Sequence, residues 1–223
     1  MGAPPARNGE RSAQSEAETP RRPRPRIETL ADLIFGLSLA IDSIALLPTS
    51  ATTPADMNSR ILIFAFAFLF LITAWLIYTT YMSVLPIDTP AITFLNVALL
   101  LLVALIPYLL NNVVLGDNPG IRDYSSGLFT LDLAMILVLL AIFAHVIALE
   151  GKGLVPLEVV KLFRGGRNRM SVLAVLMAIS IAPPFWQFTF LGVPARIYMW
   201  TVPLISYWVG RVVSPQSRTY RVS

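Results

Sequence analysis

Apolar runs near 20 residues long recur along this 223-residue chain, and that repetition limits its fold more than any other feature. A helix rises about 1.5 Å per residue, so about 20 residues cross the hydrocarbon core of a bilayer. Composition agrees: 56% of the residues are hydrophobic and 13% charged, where a soluble domain carries about 25% charged residues. The fold class expected is therefore an all-α polytopic membrane protein with six transmembrane helices and both termini cytoplasmic.

The first span lies in Arg26–Leu47 and ends at Pro48; the polar linker TSATTPADMNS follows. The others are expected at about 59–82, 91–113, 124–149, 170–191 and 194–213. Asn111, Asn112, Gly116, Asp117, Asn118, Pro119 and Gly120 read as the loop before the fourth span. The VPLEVVKLF piece in the basic connection 150–169 is too short to span and reads as interfacial. Pro183-Pro184 is expected to kink the fifth helix. Residues 1–25 carry no apolar run and read as a disordered basic cytoplasmic tail. Residues 26–213 form the membrane domain and 214–223 a short cytoplasmic tail. No apolar core of signal-peptide type precedes the first span.

Charge distribution tests the topology. Of the 17 Lys and Arg residues, 14 fall in the N-terminal tail, the 150–169 connection or the C-terminus. Six spans place all of these on one side, leaving Arg60, Arg122 and Arg196 on the other, as the positive-inside rule requires. The net charge of +4 is thus topogenic, and nucleic acid is not an expected partner.

Several function classes drop out. The chain has no Cys and one His, His145, so disulfides, thiolate sites and a multi-histidine metal site within one subunit are excluded. There is no Walker loop, HExxH, GxSxG or TVGYG-like filter, and the loops are too short for a catalytic domain. No enzyme, cofactor or metal centre is expected. Function must lie in the membrane or at its surface.

The first span carries two acids at depths where water is scarce. If the membrane begins near Ile27, Asp32 sits roughly 7 Å in and Asp42 roughly 22 Å in. Carboxylates there normally face a bundle interior or a wet cavity. On a helical wheel Leu37, Ile41, Ile44 and Ile34 fall within roughly 80° of one another, with both acids on the opposite side. The stripe either meets lipid or a neighbouring helix, or it surrounds an axis as a hydrophobic constriction that gates by dewetting. Asp132 and His145 admit structural readings, an interhelical pair and an interfacial histidine, beside transport and proton sensing.

The residues Arg26-Ile-Glu-Thr-Leu30-Ala31-Asp32 resemble the R-x-x-x-F-S-D signature of the transmembrane-protein-175 family, the endolysosomal potassium channel and its prokaryotic relatives. Arg and Asp match; Phe and Ser are Leu30 and Ala31. Asn96-Val-Ala-Leu-Leu-Leu-Leu-Val-Ala-Leu-Ile-Pro107 is similar to the family's third helix with the Asn-to-Pro spacing kept, and Trp75 matches an aromatic of the second, although Tyr78-Thr79 replaces the His pair that follows. The resemblance covers about 26–114; beyond that it rests on span count.

It implies a homotetrameric cation channel, potassium-conducting in the family, in a prokaryotic cell membrane, with first helices around the pore. Carried over by position, the constriction falls on Leu37, Ile41 and Ile44. Arg26, Asp32 and Asn96 would form the polar network that holds the first helix. Monovalent cations and the lipid bilayer would be its partners. Asp42 stands where the family has no acid; it either attracts ions near the outer mouth or is a buried structural acid. The family's Thr three residues past the constriction is Ala40 here, which leaves selectivity open. Two rival readings stand: a secondary or proton-coupled transporter using Asp32, Asp42 and Asp132, and a non-conducting structural membrane protein. Residues 26–114 and 124–213 show no inverted-repeat match that would favour the transporter.

Overall fold

A computed structural model of the chain describes residues 26–44, 53–84, 89–115, 118–150, 157–190 and 193–213. The tails expected at 1–25 and 214–223 lie outside the described residues. Six long helices run in chain order: α1 (Arg26–Ile44), α2 (Pro54–Val84), α3 (Pro90–Leu115), α4 (Pro119–Glu150), α5 (Leu157–Ser180) and α7 (Ala195–Val213). Between the last two lie a single turn, α6 (Pro184–Gln187), and an antiparallel hairpin of β1 (Thr189–Phe190) with β2 (Val193–Pro194).

α4 is the hub. It packs against α3 on one side and α5 on the other, with α2 also against it, while α1 rests on α3 and α2 and α7 rests on α5 and α2. Its apolar stretch is 67% buried inside the bundle, against 39% for α2 and 44% for α3. Phe129, Leu133, Ile136, Leu140 and Phe143 are its innermost side chains. An amphipathic helix buries one stripe; α4 is apolar almost all round and is surrounded accordingly.

Three helical stretches, Arg60–Val84, Pro90–Val114 and Pro119–Leu149, are long and apolar enough to cross a membrane by length and composition. The other three long helices carry charge at their ends or within. α1 holds Arg26, Glu28, Asp32 and Asp42; α7 starts and ends near Arg196 and Arg211; the first half of α5 holds Glu158, Lys161, Arg164, Arg167 and Arg169.

Helix bounds correct four expectations. The second helix begins at Pro54, inside the stretch taken as linker. Asn111 to Leu115 and Pro119-Gly120 belong to α3 and α4, not to a loop. The Leu157–Phe163 part of the supposed interfacial piece is continuous with α5, because Val160 and Phe163 are buried and Phe163 packs 5.6 Å from the Tyr81 ring of α2. Pro183-Pro184 ends α5 instead of kinking it. Two successive prolines remove two N–H donors, so the helix cannot go on. The Ala182 N–H reaches Ile179 O at 3.1 Å, and the Ser180 carbonyl is left needing a donor from elsewhere.

Arg196 is that donor, a contact that the sequence reading did not assign to it. It is 2% exposed at the start of α7. Nε donates to Ser180 O at 3.0 Å and Nη2 to Ile181 O at 2.8 Å, capping the end of α5. Nη1 donates to Ser126 Oγ at 2.6 Å and Asp123 Oδ1 at 3.0 Å, binding the start of α4. The guanidinium also stands 5.5 Å from the centre of the Trp186 ring. Arg122 acts the same way on a smaller scale, donating from Nε to Val113 O at 3.0 Å in the last turn of α3. Two of the three arginines counted as outer-side charges are thus helix C-caps.

Where water is absent, an indole N–H needs a protein acceptor. Trp200 Nε1 donates to Thr130 Oγ1 at 2.8 Å and Trp208 Nε1 to Thr73 Oγ1 at 3.2 Å, fixing α7 against α4 and α2. Replacing Arg196 by Met leaves the Ser180 and Ile181 carbonyls unpaired, at a cost of about 2 kcal/mol or more. Arg196→Met is therefore expected to unfold at a visibly lower temperature than Ser126→Ala, which removes one contact of the same cluster; equal melting curves in detergent would contradict the capping role.

Candidate functional site

α1 presents two unlike faces. Ala31, Phe35, Ser38 and Asp42, at helical spacing, are each 5% exposed or less and point into the bundle. Leu30, Leu33, Leu37 and Ile41 lie on the other side and are 45%, 66%, 56% and 44% exposed. Gly36 and Ala40 share this outer side, and a methyl group added at Gly36 would meet no atom within 4 Å. The wheel put Ile34 in the outer stripe; it is half-buried against the core, because it lies at the edge of the stripe nearest the buried face.

Ser38 and Asp32 link α1 to its neighbours from its inner side and flank. The Ser38 hydroxyl donates to Val103 O of α3 at 3.3 Å. Asp32, half-buried, accepts from Trp75 Nε1 of α2 at 2.9 Å. Phe35 packs 6.0 Å from the Tyr78 ring. Trp75 and Tyr78 are one helical turn apart, so both reach the same segment of α1. The indole N–H thereby finds its acceptor in the Asp32 carboxyl group.

The remaining candidates distribute as follows. Leu37 and Ile41 share the outer face; the side chains of Ile44 and Arg26 lie outside the described residues. Asn96 is buried on α3, and its Oδ1 meets no donor among the described residues. Asp42 is 5% exposed on the inner face, with Oδ2 unpartnered among the described residues. Both carboxylate oxygens of Asp132, in the middle of α4, are likewise without a partner there. His145 is exposed; Arg167 Nη1 stands 3.0 Å from its Nδ1. A guanidinium only donates, so that ring nitrogen accepts. Among the described residues no group of three or more His, Cys, Asp and Glu could hold a metal ion.

Two contacts went unforeseen. The Trp75–Asp32 bond had its signal in the sequence, an indole and an acid at membrane depth, but the aromatic was read as a belt or motif residue. Arg196 had one too: it is the only charged residue between Arg169 and Arg211.

No protein-family model matches the sequence, and no curated protein does. Among solved structures, the crystal structure of a lysosomal potassium-selective channel TMEM175 homologue from Chamaesiphon minutus is similar, with a TM-score of 0.57 and 16% identity over 83% of this chain and 96% of that one. Order and packing of the helices therefore agree across nearly the whole of that subunit: this chain has the fold of the TMEM175 homologue.

Proposed function

We propose that the chain is a member of the transmembrane-protein-175 family and the subunit of a cation channel. In this reading it crosses the membrane six times with both termini cytoplasmic, and assembles as a homotetramer with α1 at the axis. The observation that carries the proposal is the division of α1, with its interhelical polar contacts directed inward and an apolar stripe left uncovered. The shared fold and the R-x-x-x-F-S-D resemblance support it independently.

The chemistry required of such a pore is modest. Rings of Leu37 and Ile41, continued by Ile44, would form a constriction that sheds water when narrow and passes hydrated or partly hydrated cations when wide. Ala40 leaves the stripe without a hydroxyl at this level, so potassium preference would have to arise from the dimensions of the constriction. Asp32, held by Trp75, anchors the helix so that the ring keeps its radius. Potassium is the permeant ion we assign, by analogy with the similar channel.

A second reading draws on Asp42 and Asp132, whose buried oxygens lack partners among the described residues. Intramembrane acids of this kind also serve carriers. Recording from purified protein in planar bilayers separates the two: discrete ohmic openings belong to a channel, slow saturable flux to a carrier, and silence to a structural protein.

Leu37→Ala is expected to raise unitary conductance or relax selectivity, because it removes the largest part of the constricting ring. Unchanged conductance and selectivity in a folded Leu37→Ala tetramer would exclude Leu37 from the pore. Asp32→Asn weakens the bond to Trp75 by about 1 kcal/mol. It is expected to lower the tetramer fraction on size-exclusion chromatography in detergent; an unaltered profile would contradict the anchoring role.

A further inference from the structure

At the opposite end of the bundle from Arg196, α2, α5 and α7 meet around a second arginine. The uncharged part of α5 begins just after Arg169, that of α7 ends just before Arg211, and that of α2 ends a few residues past Tyr81. Three apolar stretches thus stop at the same corner, the level at which a bilayer changes from acyl chains to headgroups.

The corner is built around cations and hydroxyls. Arg169 is half-buried, and its Nη1 lies across the α7 backbone at Gly210, where a Cβ would come within 2.6 Å. Its Nε is buried and meets no acceptor among the described residues. Tyr81 is buried, and its hydroxyl would stand 3.5 Å from a Cβ at Gly166. Arg211 Nη1 donates to Tyr207 Oη at 2.9 Å. Among the described residues no carboxylate pairs with Arg169 or Arg211, whereas Arg196 is paired with Asp123.

A half-buried guanidinium that no carboxylate among the described residues neutralises is costly unless an anion arrives at its open side. Phosphate oxygens match a guanidinium fork, and basic pockets between membrane helices take lipid headgroups. We propose that Arg169, Arg211, Tyr81 and Tyr207 form a site for a phosphate group, that of an anionic lipid seated between the ends of α5 and α7. The glycines at 166 and 210 keep the corner open enough for the Tyr81 hydroxyl and the Arg169 guanidinium. Topogenic charge alone would make every basic residue on this side equivalent; the site makes Arg169 special.

The test is a titration of the full chain in neutral detergent with short-chain phosphatidylglycerol, followed by thermal unfolding. Phosphatidylglycerol is expected to raise the melting temperature where phosphatidylcholine does not. Arg169→Gln is expected to weaken that effect roughly tenfold in lipid concentration, and Lys161→Gln, which removes an exposed charge elsewhere on α5, to leave it unchanged. Tyr81→Phe, which keeps the shape, is expected to weaken it less, and it carries the test if Arg169→Gln does not fold. Inorganic phosphate as effective as the lipid would support the site with a soluble occupant. Equal responses of wild type and both site variants, or equal losses in Lys161→Gln and Arg169→Gln, would overturn it.

Discussion

The absence of water at membrane depth is the constraint on which this structure rests. Helix ends and buried donors are stable there when acceptors within the protein reach them. Arg196 answers this most fully, holding the end of α5 and the start of α4 from the first turn of α7. Without it the double proline would leave open carbonyls between two long helices. The Trp200–Thr130, Trp208–Thr73 and Trp75–Asp32 bonds apply the same rule along the bundle. α4 sits in the middle on a long apolar stretch, and the polar residues Asp123, Ser126 and Thr130 near its start are met by Arg196 and Trp200.

α1, like α3 and α5, leaves an apolar side uncovered. Its inner face packs on α2 and α3, with Asp42 Oδ2 unpartnered among the described residues. Lipid would cover such a face at no cost, so exposure alone does not identify it. Acids kept off the uncovered side, in a fold similar to that of a channel homologue, are what support the reading of α1 proposed above. A helix that only anchored the chain in lipid would have no reason to carry Asp32 and Asp42 at all.

Much of this was legible in the residues. Helix number and the segregation of acids from the Leu37–Ile41 stripe follow from periodicity, because spacing on a helix decides which side chains share a face. Boundaries were less legible. Asn111 and Asn112 look like loop residues, yet their turn continues α3, where Asn112 Nδ2 donates to Tyr108 O at 2.8 Å. The basic start of α5 looks like a connection, yet Val160 and Phe163 bury it. Partnerships were least legible. Arg196 and Ser180 are 16 residues apart, and Trp75 and Asp32 are 43 apart; the meeting of such pairs depends on how whole helices pack, which no local pattern encodes.

Gly36 and Ala40 interrupt the aliphatic side of α1 with a shallow notch one helical turn long. Two copies of this helix facing each other could therefore approach more closely there than bulky side chains allow. In a ring of such helices the bore would be set by two dimensions at once: how far Leu37 reaches inward, and how near the notch lets adjacent backbones come. Widening could then occur by helices sliding apart at the notch, with no change in any rotamer of the constricting ring.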